Sequence, residues 1–199
     1  VDIQLLPEFD QPSMLVIVDF TLAEATPLPA NVSIRIPSTA NLLAVAVNQN
    51  GSLLNAVFET AKQDDNWQIV KIIVDMKAQY HVELYEPLNI NGSSREFTYT
   101  WPGDYAVERL SLNVKEPVDT TSLSGVPALK KTQGTNGNTV YQITPVTLKA
   151  GEQFQFNLKY EKTSNRLAAA PPQGVQTAPI DQTTEGRLQL GNYLPYILG

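Results

Sequence analysis

His81, the only histidine of the 199-residue chain, is the first candidate for acid–base or metal chemistry. It lies in the run Tyr80-His-Val-Glu-Leu-Tyr85, where alternation is typical of a strand and puts His81, Glu83 and Tyr85 on one face. An imidazole and a carboxylate two residues apart can share a proton or a metal ion. No third or fourth ligand is identifiable, so His81 and Glu83 are weak metal candidates, and the run favours an exposed polar face of a sheet.

Other chemically capable patterns are incomplete. Met14 and His81 could act as the two axial ligands of a haem. However, the chain has no cysteine for covalent haem attachment, and the two residues fall on an apolar and a polar strand face. The absence of cysteine also excludes thiol catalysis and Cys-ligated zinc. The loop Ser122-Leu-Ser-Gly125 lacks the Gly-x-Ser-x-Gly spacing of a serine hydrolase.

Two compact acidic pairs are the remaining candidates for catalysis. Glu83 with Glu86, or Asp64 with Asp65, could supply the two carboxylates of a glycoside hydrolase. Asp64-Asp-Asn66 offers oxygen ligands for Ca²⁺ but not the spacing of a calcium loop. Solvated surface charges explain these pairs more simply. The sequence therefore predicts a protein that is not an enzyme and holds no cofactor or metal ion.

Aromatic side chains give a further hint of function. Trp67, Tyr85, Trp101 and Tyr105 fall near predicted strand ends and loops. Flat aromatic faces at a sandwich rim can stack on sugar rings, so these four residues form a candidate glycan site. The alternative is that Trp67 and Trp101 belong to the core, since Trp101 lies on the apolar phase of its strand.

Period-two alternation, the pattern of a half-buried strand, runs from Ser13 to about Tyr160. Phe154, Phe156, Leu158 and Tyr160, for example, alternate with polar residues. The run Met14–Val18 is apolar on both faces and predicts a central strand. Strands are also expected at 32–36, 43–48, 53–59, 67–76, 79–85, 97–101, 109–114 and 138–148. No window shows a helical apolar stripe.

Turn residues separate these strands. Asn48-Gln-Asn-Gly51 predicts a hairpin, because Asn-Gly tolerates the positive φ of a tight turn. Pro27, Pro29 and Pro37 flank the strand at 32–36 and predict that it lies at a sheet edge. Many short strands with regular turns predict an all-β fold, an antiparallel β-sandwich of the jelly-roll or immunoglobulin-like kind over residues 1–161.

The composition changes at residue 162. Residues 162–199 are rich in Pro, Ala, Thr and Gln and are predicted to be a linker or tail. Its end, residues 193–198, is apolar and aromatic, typical of either the start of a membrane anchor or a docking segment. The net charge of −6 argues against nucleic-acid binding, which requires clustered Lys and Arg.

Four segments resemble a group of uncharacterised bacterial exported, membrane-tethered β-sandwich proteins. They lie at 6–18, 32–37, 97–105 and 148–156 and spread over the predicted sandwich. In outline that group is similar to carbohydrate-binding and immunoglobulin-like sandwiches. The resemblance implies a location outside the cytoplasm, in the cell envelope or at the cell surface, and a membrane helix beyond the sandwich. It carries no catalytic motif.

Together these observations predict a non-catalytic, extracytoplasmic domain that binds another protein, as an accessory or structural subunit of an envelope or membrane-associated assembly. Strand addition to an exposed sheet edge is the expected mode, with the tail or the Pro-flanked strand as candidate elements. The alternative is a carbohydrate-binding module that uses Trp67, Trp101 and the nearby tyrosines.

Overall fold

The computed structural model describes residues 1–62, 64, 66–134 and 139–169, which form sixteen β-strands. In chain order these are β1 (Asp2–Pro7), β2 (Met14–Phe20), β3 (Ala30–Pro37), β4 (Asn41–Gln49), β5 (Ser52–Asn55), β6 (Phe58–Lys62), β7 (Trp67–Val74), β8 (Tyr80–Glu86), β9 (Asn89–Asn91), β10 (Ser94–Trp101), β11 (Val107–Lys115), β12 (Thr120–Val126), β13 (Lys130–Gln133), β14 (Thr139–Gln142), β15 (Val146–Leu148) and β16 (Phe154–Lys162). Within these ranges, no helix is long and apolar enough to cross a membrane.

The strands form one large and two small sheets. The large sheet has the order β13-β14-β11-β1-β2-β8-β4-β5, with β15 paired to β11. The small sheets have the orders β12-β16-β10-β9 and β3-β7-β6. Strands β1 and β11 pair in parallel, and the other described pairs are antiparallel. The predicted antiparallel arrangement is therefore correct except at this one pair.

A single apolar core joins the three sheets, so the predicted all-β sandwich is confirmed. Buried side chains of the large sheet and of both small sheets belong to one continuous cluster. Strand β16 shows the alternation that builds it, because Phe154, Phe156, Leu158 and Tyr160 are buried while the residues between them are more exposed. Strands with this alternation thus contribute one apolar face to the core.

Two local predictions are also confirmed. Strand β2 is central, between β1 and β8, as its run of apolar residues requires. Strands β4 and β5 form a hairpin with Asn50 and Gly51 at its tip, where both have positive φ (54° and 85°). The amide of Gly51 donates to Asn48 Oδ1 at 2.9 Å, which fixes the turn. Both φ values suit the tight turn that Asn-Gly favours.

Other strand predictions are wrong in their limits. The single strand expected at 53–59 is two strands, because the chain passes between sheets at Ala56 and Val57. Ala56 N donates to Val45 O in the large sheet, and Ile73 N donates to Val57 O in a small sheet, both at 3.0 Å. The strand expected at 138–148 is likewise split into β14 and β15. Strands β9, β12 and β13 have no fully buried residue and therefore no apolar period to reveal them.

The chain remains attached to the sandwich after β16. Ala168 N donates to Glu8 O at 3.1 Å, and Ala169 N donates to Phe9 O at 2.6 Å. These bonds hold the segment 163–169 against the turn between β1 and β2. The rest of the predicted tail, 170–199, lies outside the described residues.

Candidate functional site

His81 lies on the outer face of the large sheet, together with Glu83 and Tyr85 as the alternation predicted. The predicted exposure is wrong, since His81 is only 9% exposed. Its Nδ1 lies 2.8 Å from Asp19 Oδ1, and its Nε2 lies 3.5 Å from Glu83 Oε2. Asp19 is the residue directly opposite on strand β2. The hydrogen bond that the His81 ring donates to Asp19 raises the pKa of His81, against the opposing effect of burial.

This arrangement is an ion pair rather than a ligand set. Among the described residues, no group of three or more His, Cys, Asp or Glu side chains could hold a metal ion. Met14 and His81 cannot ligate one haem, because Met14 faces the core and His81 faces outward. Met14 pairs with Glu86, and His81 pairs with Asp19. Met14 and His81 are therefore also about five residues apart along the direction of β2.

The acidic pairs do not form catalytic dyads in this fold. Glu83 and Glu86 lie on opposite faces of β8, and Glu86 is buried on the core side. Burial raises the pKa of Glu86 to about 7. Asp64 Oδ1 accepts hydrogen bonds from the amides of Asn66 and Trp67, at 2.8 and 2.9 Å, and so shapes the turn before β7. Asp65 lies outside the described residues.

The four aromatic candidates are only partly brought together. Trp101 is 4% exposed, so it belongs to the core and has no ring face open to a sugar. Trp101 and Tyr105 both line an apolar cavity of about 270 Å³, between the end of β2, strand β3 and the β10–β11 loop. Trp67 lies at the start of β7, with the Arg35 guanidinium 5.6 Å from its ring centroid. Tyr85 lies on the large sheet, where its hydroxyl donates to Asp10. Carbohydrate binding stays a prediction for Trp67, Tyr85 and Tyr105.

The Pro-flanked strand β3 is at a sheet edge, as predicted, but that edge is occupied. Its outward amides are satisfied by side chains of the β10–β11 loop. The amide of Ser33 donates to the Tyr105 hydroxyl at 2.9 Å, and that of Arg35 donates to Asp104 Oδ2 at 3.0 Å. The Arg35 side chain also binds Asp104, with Nε donating to Oδ1 at 2.5 Å. These contacts stand where a neighbouring strand would pair.

A different edge of the sandwich is uncovered. We call residues 52–62, from β5 through the crossing at Ala56 and Val57 to β6, the open edge. Backbone groups of a strand point alternately to its two sides. Because Ala56 bonds to β4 and Val57 to β7, the backbone groups of Leu53, Asn55, Phe58 and Thr60 point outward. Within the described residues, no strand pairs with them.

Apolar side chains concentrate at the open edge. Six of the nine exposed large apolar side chains in the described part of the chain lie on it or on the adjoining strands: Leu43, Leu53, Leu54, Val57, Phe58 and Ile73. Leu54 and Phe58 point to the core side, since their cross-strand partners Val47 and Ile72 are buried. They are nevertheless 48% and 40% exposed, because no further strand of the described residues covers them.

The other described edges carry the usual protections against strand addition. Strand β13 has two lysines, β9 has three residues, and β12 has an irregular register between Thr120 and Ser122. Strand β3 is blocked by side chains. By contrast, residues 52–58 contain no charged side chain and no proline. The sequence did not single out this edge, because Leu53, Leu54 and Phe58 read as ordinary core residues of one strand.

Comparisons with known proteins do not identify a family for this chain. No protein-family model matches it, and no curated protein matches it.

Proposed function

We propose that this domain is a non-catalytic protein-binding domain that accepts an extended segment of a partner along the open edge. The observation that carries the proposal is the run 52–58, which is uncharged and largely apolar. No described strand pairs with its outward side, whereas each of the other described edges is protected. A strand that pairs there would satisfy outward backbone groups and cover Leu54 and Phe58.

The chemistry of the open edge defines the partner's segment. It must be extended, because the free donors and acceptors are spaced as in a strand. Its core-facing side chains, at every second position, must be apolar to pack on Leu54 and Phe58. It must also be uncharged there, since a buried charge without a counter-charge is costly.

We further propose that the domain serves as an accessory subunit of an envelope or membrane-associated assembly outside the cytoplasm. This location rests on the resemblance to exported proteins given above.

The test is gentle native purification of the full chain, identification of proteins that co-elute, and reconstitution from purified components. We expect a stoichiometric partner, and in its complex with the full chain we expect slow hydrogen exchange at the amides of Leu53, Asn55, Phe58 and Thr60. Leu53→Lys should weaken that binding at least tenfold.

Val126→Lys is the matched control, because Val126 is an exposed apolar residue on another sheet, at 68% exposure against 55% for Leu53. It should leave the affinity unchanged. A full chain that purifies alone with these four amides unprotected, or a partner that binds Leu53→Lys as tightly as the parent, would contradict the proposal.

A further inference from the structure

We infer that the segment that covers the open edge is residues 188–198 of this same protein. The inference rests on the proposed function, since it requires that the open edge accepts a strand, and it names the supplier of that strand.

The first argument is the pattern of this segment. Its sequence is Leu-Gln-Leu-Gly-Asn-Tyr-Leu-Pro-Tyr-Ile-Leu. Every second position except 192 is Leu or Tyr, namely 188, 190, 194, 196 and 198. Period-two spacing gives a strand one continuous apolar face. That face is what Leu54 and Phe58 require of a covering strand.

The second argument is charge and length. Residues 188–198 contain no Asp, Glu, Lys or Arg, and neither do residues 52–58, so pairing along 52–58 buries no ionised group; Glu59 and Lys62 of the open edge lie beyond that run. The segment has eleven residues, as does the open edge at 52–62. Gly191 offers a place to bend where the open edge itself bends between its two sheets.

Pro195 fits the same arrangement. A proline cannot donate to a neighbouring strand, so it is tolerated where its nitrogen faces away from the sheet. A covering strand with Pro195 on its outer side would close the edge to further strand addition.

The connecting chain is long enough. The described chain ends at Ala169, which is bonded to Phe9 beside β2. Strand β5 is three positions from β2 in the large sheet, or about 15 Å. Residues 170–187 could extend to about 60 Å. The segment can therefore come from the same chain or from a neighbouring copy.

Disulfide trapping in the full chain tests the inference, and the absence of native cysteine keeps the background clean. Asn55→Cys is combined in turn with Gln189→Cys, Tyr193→Cys and Ile197→Cys, which share the phase opposite to the apolar face, because cross-strand neighbours on one face come close enough for a disulfide. We expect one pair to oxidise at least tenfold faster than the same partner combined with Ser124→Cys on the edge strand β12. The product's mass shows whether the segment is exchanged between copies, and either origin supports the inference.

Hydrogen exchange supplies a second readout. The amides of Leu53, Asn55, Phe58 and Thr60 should be protected in the full chain and should exchange at least tenfold faster in the double variant Leu190→Asp/Leu194→Asp. The matched control is Thr177→Asp, in the connecting chain. No preferred disulfide together with unchanged exchange would overturn the inference. If the inference fails but a purified partner protects these amides, the proposed function holds and the strand comes from another protein. If nothing protects these amides, both the inference and the proposed function fail.

Discussion

Glu8 is the buried carboxylate of a charge cluster beneath the turn after β1. Its Oε1 lies 3.5 Å from Arg95 Nε, and its Oε2 lies 3.3 Å from Lys162 Nζ. The Tyr160 hydroxyl donates to Oε2 at 2.8 Å. All three charged side chains are at most 2% exposed. Among the described residues, Glu8 is therefore the buried carboxylate that lies within ion-pair distance of both cations.

Glu8→Gln should destabilise the fold strongly. It keeps the shape of the side chain and the hydrogen-bonding carbonyl oxygen but removes the negative charge. Removing one partner of a buried ion pair typically costs about 3–5 kcal/mol, because the remaining charge stays buried and uncompensated. Since a domain is stable by only about 5–15 kcal/mol, this is a large share of the total.

Urea unfolding, followed by the fluorescence of Trp67 and Trp101, measures the free energy of unfolding. Glu96→Gln is the matched control, since Glu96 pairs with Lys159 while 51% exposed, and it should have no measurable effect. Lys162→Met in the Glu8→Gln background should recover part of the loss, because it removes one uncompensated cation. If Glu8→Gln costs no more than Glu96→Gln, the cluster does not stabilise the fold in the way argued.

Two predictions concern pH. Burial raises the pKa of Glu86 to about 7, so between about pH 4.5 and 7 the unfolded chain releases a proton that the folded chain keeps. The free energy of unfolding should therefore fall by about 3 kcal/mol as pH rises through that window. Glu86→Gln should remove this pH dependence. If the stability of the parent and of Glu86→Gln changes with pH in the same way, Glu86 is not the group responsible. Asp19→Asn should lower the pKa of His81, measured by NMR on this single histidine, and an unchanged midpoint would contradict the ion pair. The stabilisation from that pair is present below the unfolded pKa of about 6.5 and is lost as pH rises through the raised value.

Most strands with one buried face were predictable from the sequence. In β16 and β2, neighbouring side chains point to opposite faces, so a core on one side imposes period two on the residues. The Asn50-Gly51 turn was predictable because its positive φ values limit which residues fit. Strands β9 and β12 escaped prediction, because they bury no face completely.

The candidate sites were less predictable. The alternation placed His81 and Glu83 on one face, but the decisive partner, Asp19, is 62 residues away in the chain. Trp101 and Tyr105 were predicted to lie together at a rim, whereas Trp101 is a core residue. Such outcomes depend on which strands become neighbours, and local pattern does not record this.

The sequence by itself determined the all-β fold, the alternation of its faces and the edge position of β3, because these follow from the geometry of one strand and the restrictions of proline. Only the tertiary structure decided which edge is open. Asp104 and Tyr105 occupy the edge of β3, while the chain between β5 and β6 crosses from one sheet to another and leaves Leu54 and Phe58 without a covering strand among the described residues. Edge exposure is set by contacts between distant segments, and these exist only once the sheets have assembled.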